Sequence, residues 1–162
     1  MKNRTVAQAQ NSLPYIKSYR AIAGTVIATI LFQRLEWRFS KYPNGFYKFL
    51  EPAPNNRSYR EGDSWTEELE FSVDEFRSAF SALGVRYKSR TDYSAATDPF
   101  RPKPEAKEAL YCSVLDKSTG LTYYSRNHAL VDRLLDELVT GKEEGKSAPV
   151  DLAQNGGADG NF

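Results

Sequence analysis

A chain of 162 residues with 40% hydrophobic and 13% aromatic content is long enough for one domain with a real core and too apolar to stay unfolded. A formal net charge of +1 argues against strong nonspecific affinity for DNA. One Cys and one His exclude an internal disulfide and a Cys/His zinc site.

The start, Met1-Lys2-Asn3-Arg4-Thr5 followed by Val6 to Gln10, lacks the apolar core of a secretory signal. Residues 1–17 are polar, are broken by Pro14, and read as an arm that can dock or remain free. The most apolar run, Ala21 to Phe32, has twelve residues where a membrane span needs about 20, so it reads as a buried helix. A cytoplasmic protein is expected.

The domain proper is expected over residues 18–141. From Ser18 to about Lys41, Ile22, Val26, Ile30, Leu31, Leu35 and Phe39 recur at helical spacing and predict one long helix. Pro43-Asn44-Gly45 stops it, and the aromatic content of Gly45 to Leu50 predicts a short strand, with a loop from Pro52 to Gly62. Ser64 with Glu67, and Ser72 with Glu75, place a hydroxyl and a carboxylate three apart, the pattern that satisfies the free amides opening a helix. Two short helices with almost no linker follow, a helix-turn-helix. The second carries Val73, Phe76, Phe80 and Leu83 on one face, and Gly84 is expected as its left-handed cap. At helical spacing Trp65, Phe71, Phe76 and Phe80 belong to a core rather than to a base-stacking platform.

Past Gly84 the period becomes two, with Val85 and Tyr87 alternating with Arg86, Lys88 and Arg90: a strand with a basic face. Thr91 to Glu108 holds three prolines and reads as a long polar loop. Ala109 to Leu115 and Leu121 to Ser125 predict a hairpin around Asp116 to Gly120, with Tyr123 and Tyr124 on opposite faces and Cys112 a small buried hydrophobe. Asn127 is placed to cap a closing helix with a stripe of Leu130, Val131, Leu134, Leu135 and Leu138. That stripe is expected to pack on the first helix or, through Leu130, Leu134 and Leu138, on its copy in a homodimer. Residues 142–162, rich in Gly, Asp and Ala, are expected to be disordered.

The order of elements, carried by Ile30 to Trp37, Phe46 to Phe49, Asp63 to Ser89 and Tyr111 to Asn127, resembles winged-helix proteins. It is similar in particular to the small ones of phages and mobile elements, described as replication- or DNA-binding-related. The resemblance implies an α+β fold with a helix-turn-helix, a β-hairpin wing and a closing C-terminal helix. It also implies duplex DNA as partner, in replication or transcription of such an element.

The charge map qualifies this. Residues 1–62 carry ten Lys/Arg against three Asp/Glu, whereas residues 63–84 carry one against six. A helix that enters the major groove is opposed by carboxylates, and Asp74 and Glu75 lie in its first turn. They read either as cap and dipole residues or as the mark of a helix that faces away from DNA. The DNA-binding candidates are therefore Arg77 in the helix, Arg86, Lys88 and Arg90 on the wing strand, Arg101 and Lys103 in its loop, and the basic arm.

The alternative is a protein-binding module that uses the acidic helix-turn-helix surface or the closing helix. No nucleophile with its base, metal cluster or phosphate-cradling glycine loop is legible, so no catalysis, metal or cofactor is expected.

Overall fold

A computed structural model describes residues 12–141. The expected disorder of residues 142–162 and most of the N-terminal arm lie outside the described residues. The chain divides after Asn127 into two compact units.

The first unit is α+β. Lys17–Tyr19 forms a single tight turn and leads into α1 (Arg20–Ala23), followed by α2 (Val26–Lys41). The one long helix expected from Ser18 is thus broken at Gly24, whose φ of 91° no helical residue adopts. Thr25 restarts the helix by accepting from the Ala28 amide. The last residues of the arm dock: Gln33, buried in α2, donates to the Pro14 carbonyl at 2.7 Å and accepts from the Ile16 amide at 2.8 Å.

After β1 (Phe46–Lys48), α3 (Trp65–Leu69) and α4 (Val73–Leu83) follow as the two capping boxes predict, each box complete. The connection turns on Glu70, the one non-glycine residue with positive φ among the described residues (54°). Gly84 is not the left-handed cap expected of it. Its φ of −151° is extended, and it opens β2 (Gly84–Tyr87). Close approach is what requires glycine there, because a Cβ would lie 2.7 Å from the Tyr111 carbonyl and 2.9 Å from the Phe80 ring.

Ser89 then caps α5 (Arg90–Ala95), a helix inside what reads as a loop. The strands β3 (Tyr111–Leu115) and β4 (Thr122–Arg126) close a sheet of order β1-β4-β3-β2. The pairs β1-β4 and β3-β4 are antiparallel, and β2 runs parallel to β3. A parallel neighbour needs a crossover rather than a turn, which is what the segment 88–110 supplies.

The sheet is covered on both faces. On one, Phe46, Trp65, Phe76, Phe80, Tyr111 and Tyr124 form a continuous aromatic core under α2, α3 and α4, with Phe39 stacked on Tyr111 at 5.7 Å. On the other, Tyr87, Cys112 and Val114 meet Val85, Tyr93, Ala96 and Phe100. Four successive residues of β3 are consequently buried, where a sheet with one wet face would alternate.

The second unit contains a helix over 128–141, along which Arg133 meets Glu137 at 3.6 Å, and Val139 is exposed.

Two substitutions test the α3-α4 connection. Glu70→Gly relieves a left-handed residue and is expected to raise stability by about 0.5–1 kcal/mol, net of glycine's greater unfolded-state entropy. Ser72→Ala removes the α4 cap and is expected to cost about 1 kcal/mol. Urea midpoints at constant slope read both.

Candidate nucleic-acid interface

Where α4 leaves the sheet, a groove of about 480 Å³ opens between the helix and the strand ends. Its floor is apolar and aromatic: Phe76 and Phe80 from α4, Tyr124 from β4, Leu50 and Leu115. Its charged lining is Arg77 from α4, Arg86 from β2, Lys88 just beyond it and Lys117 from the β3-β4 turn, with no carboxylate among the lining residues. All four cations are exposed.

Strand register explains the convergence. Arg86 stands opposite Ser113, which stands opposite Tyr124, so these three side chains form one row on the sheet face that carries the helices. Arg77 lies one residue beyond Phe76 and therefore at the margin of the α4 face that packs on Trp65.

Three of the six candidate residues, Arg77, Arg86 and Lys88, thus meet in one place. The others do not line the groove. Arg90 is not on the wing strand: it is the first residue of α5, bound to Asp116 at 3.1 Å and within 3.4 Å of the Tyr47 hydroxyl. Arg101 and Lys103 lie in the segment that crosses over between the parallel strands β2 and β3. Arg101 faces Glu108 at 3.7 Å, and the Lys103 carbonyl accepts from the Ala106 amide in a turn. Lys117 joins the groove without having been a candidate, although the Asp116-to-Gly120 turn signal that places it is legible in the sequence.

The acidity of α3 and α4 is largely consumed locally. Glu67 accepts from the Ser64 and Tyr59 hydroxyls, both at 2.6 Å, and from the Gly62 amide at 2.7 Å. Glu75 closes the second capping box at 2.9 Å. One oxygen of Glu68 takes Arg38 at 2.8 Å and Arg34 at 3.2 Å, with the buried Lys48 ammonium at 3.8 Å. Burial opposes the charge on Glu68, but Lys48 and Arg38 outweigh it and hold the carboxyl below its usual range. Burial likewise pushes Lys48 down to about 8, against the pull of Glu68.

Cys112 is fully buried, and burial pushes its thiol up to about 11, the behaviour of a packed hydrophobe rather than a nucleophile. No group of three or more His, Cys, Asp or Glu able to hold a metal occurs among the described residues. No helix among the described residues is long and apolar enough to cross a membrane.

Comparison with protein-family models, curated proteins and solved structures returned no match.

The Ser64 hydroxyl, seconded by Tyr59, holds Glu67 down to about 2 from an ordinary 4.5. A carboxyl depressed on folding stabilises the native state above its unfolded pKa, and that contribution fades as pH falls toward the folded one. Between pH 4.5 and 2 the wild type is therefore expected to lose stability faster than Glu67→Gln. Parallel acid arms in urea titrations of the two proteins would contradict this assignment.

Proposed function

We propose that the domain binds duplex DNA, with α4 and the β3-β4 turn flanking the contact and the basic groove between them following the phosphates. The observation that carries this reading is the convergence of Arg77, of Arg86 with Lys88, and of Lys117, from three separate chain segments, in a groove lined by no acid. In a chain of net charge +1 such clustering is local design rather than general basicity.

Element order supports a winged-helix reading. A helix, a short strand and two tightly joined helices precede a hairpin whose second strand pairs with the first strand, β1 on β4. In that reading α3 and α4 are the helix-turn-helix, the Asp116–Gly120 turn is the tip of the wing, and β2 is an additional parallel strand. The resemblance to mobile-element proteins makes replication or transcription of such an element the expected process. The local hydrogen bonding of Glu67 and Glu75 and the pairing of Glu68 support the cap-residue reading of the acids over an acidic protein-binding surface.

Anisotropy of a labelled duplex over a salt series tests this. The double substitution Arg86→Ala, Lys88→Ala is expected to weaken binding across sequences and to make the log-log salt slope less negative by about two, near one for each phosphate no longer neutralised. Lys117→Ala is expected to remove about one further unit. Arg90→Ala and Arg101→Ala, outside the groove, are the controls. An unchanged slope in the double variant would exclude this docking mode.

Arg77 is expected to behave differently from the phosphate-binding cations. It stands on the helix that would face base edges, so Arg77→Ala should cost about 1 to 3 kcal/mol at one base position and relax preference there. Competition with single-base-pair variants of a selected duplex reads that effect. A uniform weakening across all variants would return Arg77 to the phosphate group.

A further inference from the structure

We propose that the outer face of α2 is a second docking surface, for an acidic segment of a partner protein that carries an apolar side chain between its carboxylates. Arg34, Trp37, Arg38 and Lys41 recur at the helical spacing that puts them on one face. Trp37 is 44% exposed there, with the Arg34 guanidinium 4.4 Å and the Lys41 ammonium 4.0 Å from its ring centre, one turn before and one turn after it.

Charge is out of balance beneath that face. Arg34, Arg38 and Lys48 converge on a single oxygen of a single carboxylate, Glu68. The Nε atoms of both arginines are buried and make no hydrogen bond, and neither does the second oxygen of Glu68. Three cations against one carboxylate leave excess positive charge beside an exposed indole. The acid that α2 itself carries, Glu36, is turned to Arg126 and Tyr111 and offsets none of this.

The chemistry selects between anionic partners. The Arg34 guanidinium and the Lys41 ammonium already lie against the Trp37 ring, so a stacking nucleobase competes with them for the indole. Carboxylates bind the cations where they stand, while the exposed part of the indole accepts an apolar side chain. The surface is separate from the groove: Arg38 lies 5.6 Å from the ring of the fully buried Trp65, and it is Trp65 that stacks, at 5.6 Å, on Phe76 of the groove floor.

Trp37 and Trp65 are the two tryptophans, and Trp65 is fully buried, so acrylamide quenching of the intact protein reports on Trp37. The probes are a short acidic peptide with Leu and Phe between its carboxylates, an oligoglutamate of equal charge, oligothymidylate and a duplex. The peptide is expected to protect Trp37 and to bind more tightly than oligoglutamate. Lys41→Glu is expected to weaken peptide binding about tenfold with duplex binding unchanged. Trp37→Ala should bring the peptide down to the oligoglutamate level. Circular dichroism checks that both surface variants stay folded.

Absence of protection by the peptide at low salt, or equal binding of peptide and oligoglutamate to the wild type, would overturn the proposal. Protection of Trp37 by oligothymidylate or duplex, abolished in Lys41→Glu, would overturn it in favour of a nucleic-acid surface. Loss of duplex binding in the Arg86→Ala, Lys88→Ala protein with peptide binding intact would keep the two surfaces distinct.

Discussion

Trp65 is fully buried, and its indole meets Phe46 of β1, Phe76 of α4 and Tyr124 of β4, while Arg38 of α2 and Lys48 of β1 hold cations within 5.6 and 4.8 Å of its ring. Its backbone amide donates to Phe49 at 3.0 Å, which fixes the start of α3 against the end of β1. A side chain that touches four elements sets where each lies relative to the others. Truncating a buried Trp to Ala typically costs about 3–5 kcal/mol, a large share of a small domain's stability. The arrangement of α4 against the sheet, and hence the shape of the groove, depends on this packing. The Phe76 ring that stacks on Trp65 is also part of the groove floor.

The same neighbourhood explains an electrostatic paradox in the chain. Read linearly, six acids over residues 63–84 sit where a DNA-facing helix pair would be expected. In space three of them have local work. Glu67 and Glu75 accept from amides that have no helical partner, and Glu68 offsets part of a cationic cluster under α3. Interaction with free amide donors confines much of a carboxylate's field to its own helix terminus. Positive charge on the groove side is therefore less opposed than the linear count suggests.

How much of this the residues disclose depends on the range of each determinant. Both capping boxes are i to i+3 patterns, and the α3-α4 pair follows the sequence closely. At α5 the Ser89 hydroxyl caps the helix by accepting from the Asp92 amide, and the basic alternation of Arg86, Lys88 and Arg90 masks it by suggesting a strand that continues. Pairing of β2 with β3 bridges more than twenty residues and is parallel, so no turn signal announces it. Gly84 shows the limit of local rules. A glycine ending a helix reads as a left-handed cap, yet what fixes it is the distant Tyr111 carbonyl. Among the site residues, Arg77, Arg86 and Lys88 are legible as charge on amphipathic elements. Their convergence with Lys117 needs the hairpin register and is not.

Covering the sheet on both faces has a consequence for where binding can occur. One face is taken by the aromatic core under α2, α3 and α4, and the other by Tyr93, Ala96 and Phe100 of the crossover. That leaves edges, turns and outer helix faces, and cations gather in two of these places: around the groove at the end of α4 and along the exterior of α2. With a net charge of +1, the long-range field of the molecule is weak, and little nonspecific attraction to a polyanion is available. Affinity at either proposed surface would then come from short-range fit, from cations held at fixed spacing by the register of β2 and β3 or by the pitch of α2. The rigidity supplied by Trp65 and its aromatic neighbours is what keeps those spacings fixed, and it does so for both surfaces at once, since Arg38 lies over one side of the indole and Phe76 stacks against it.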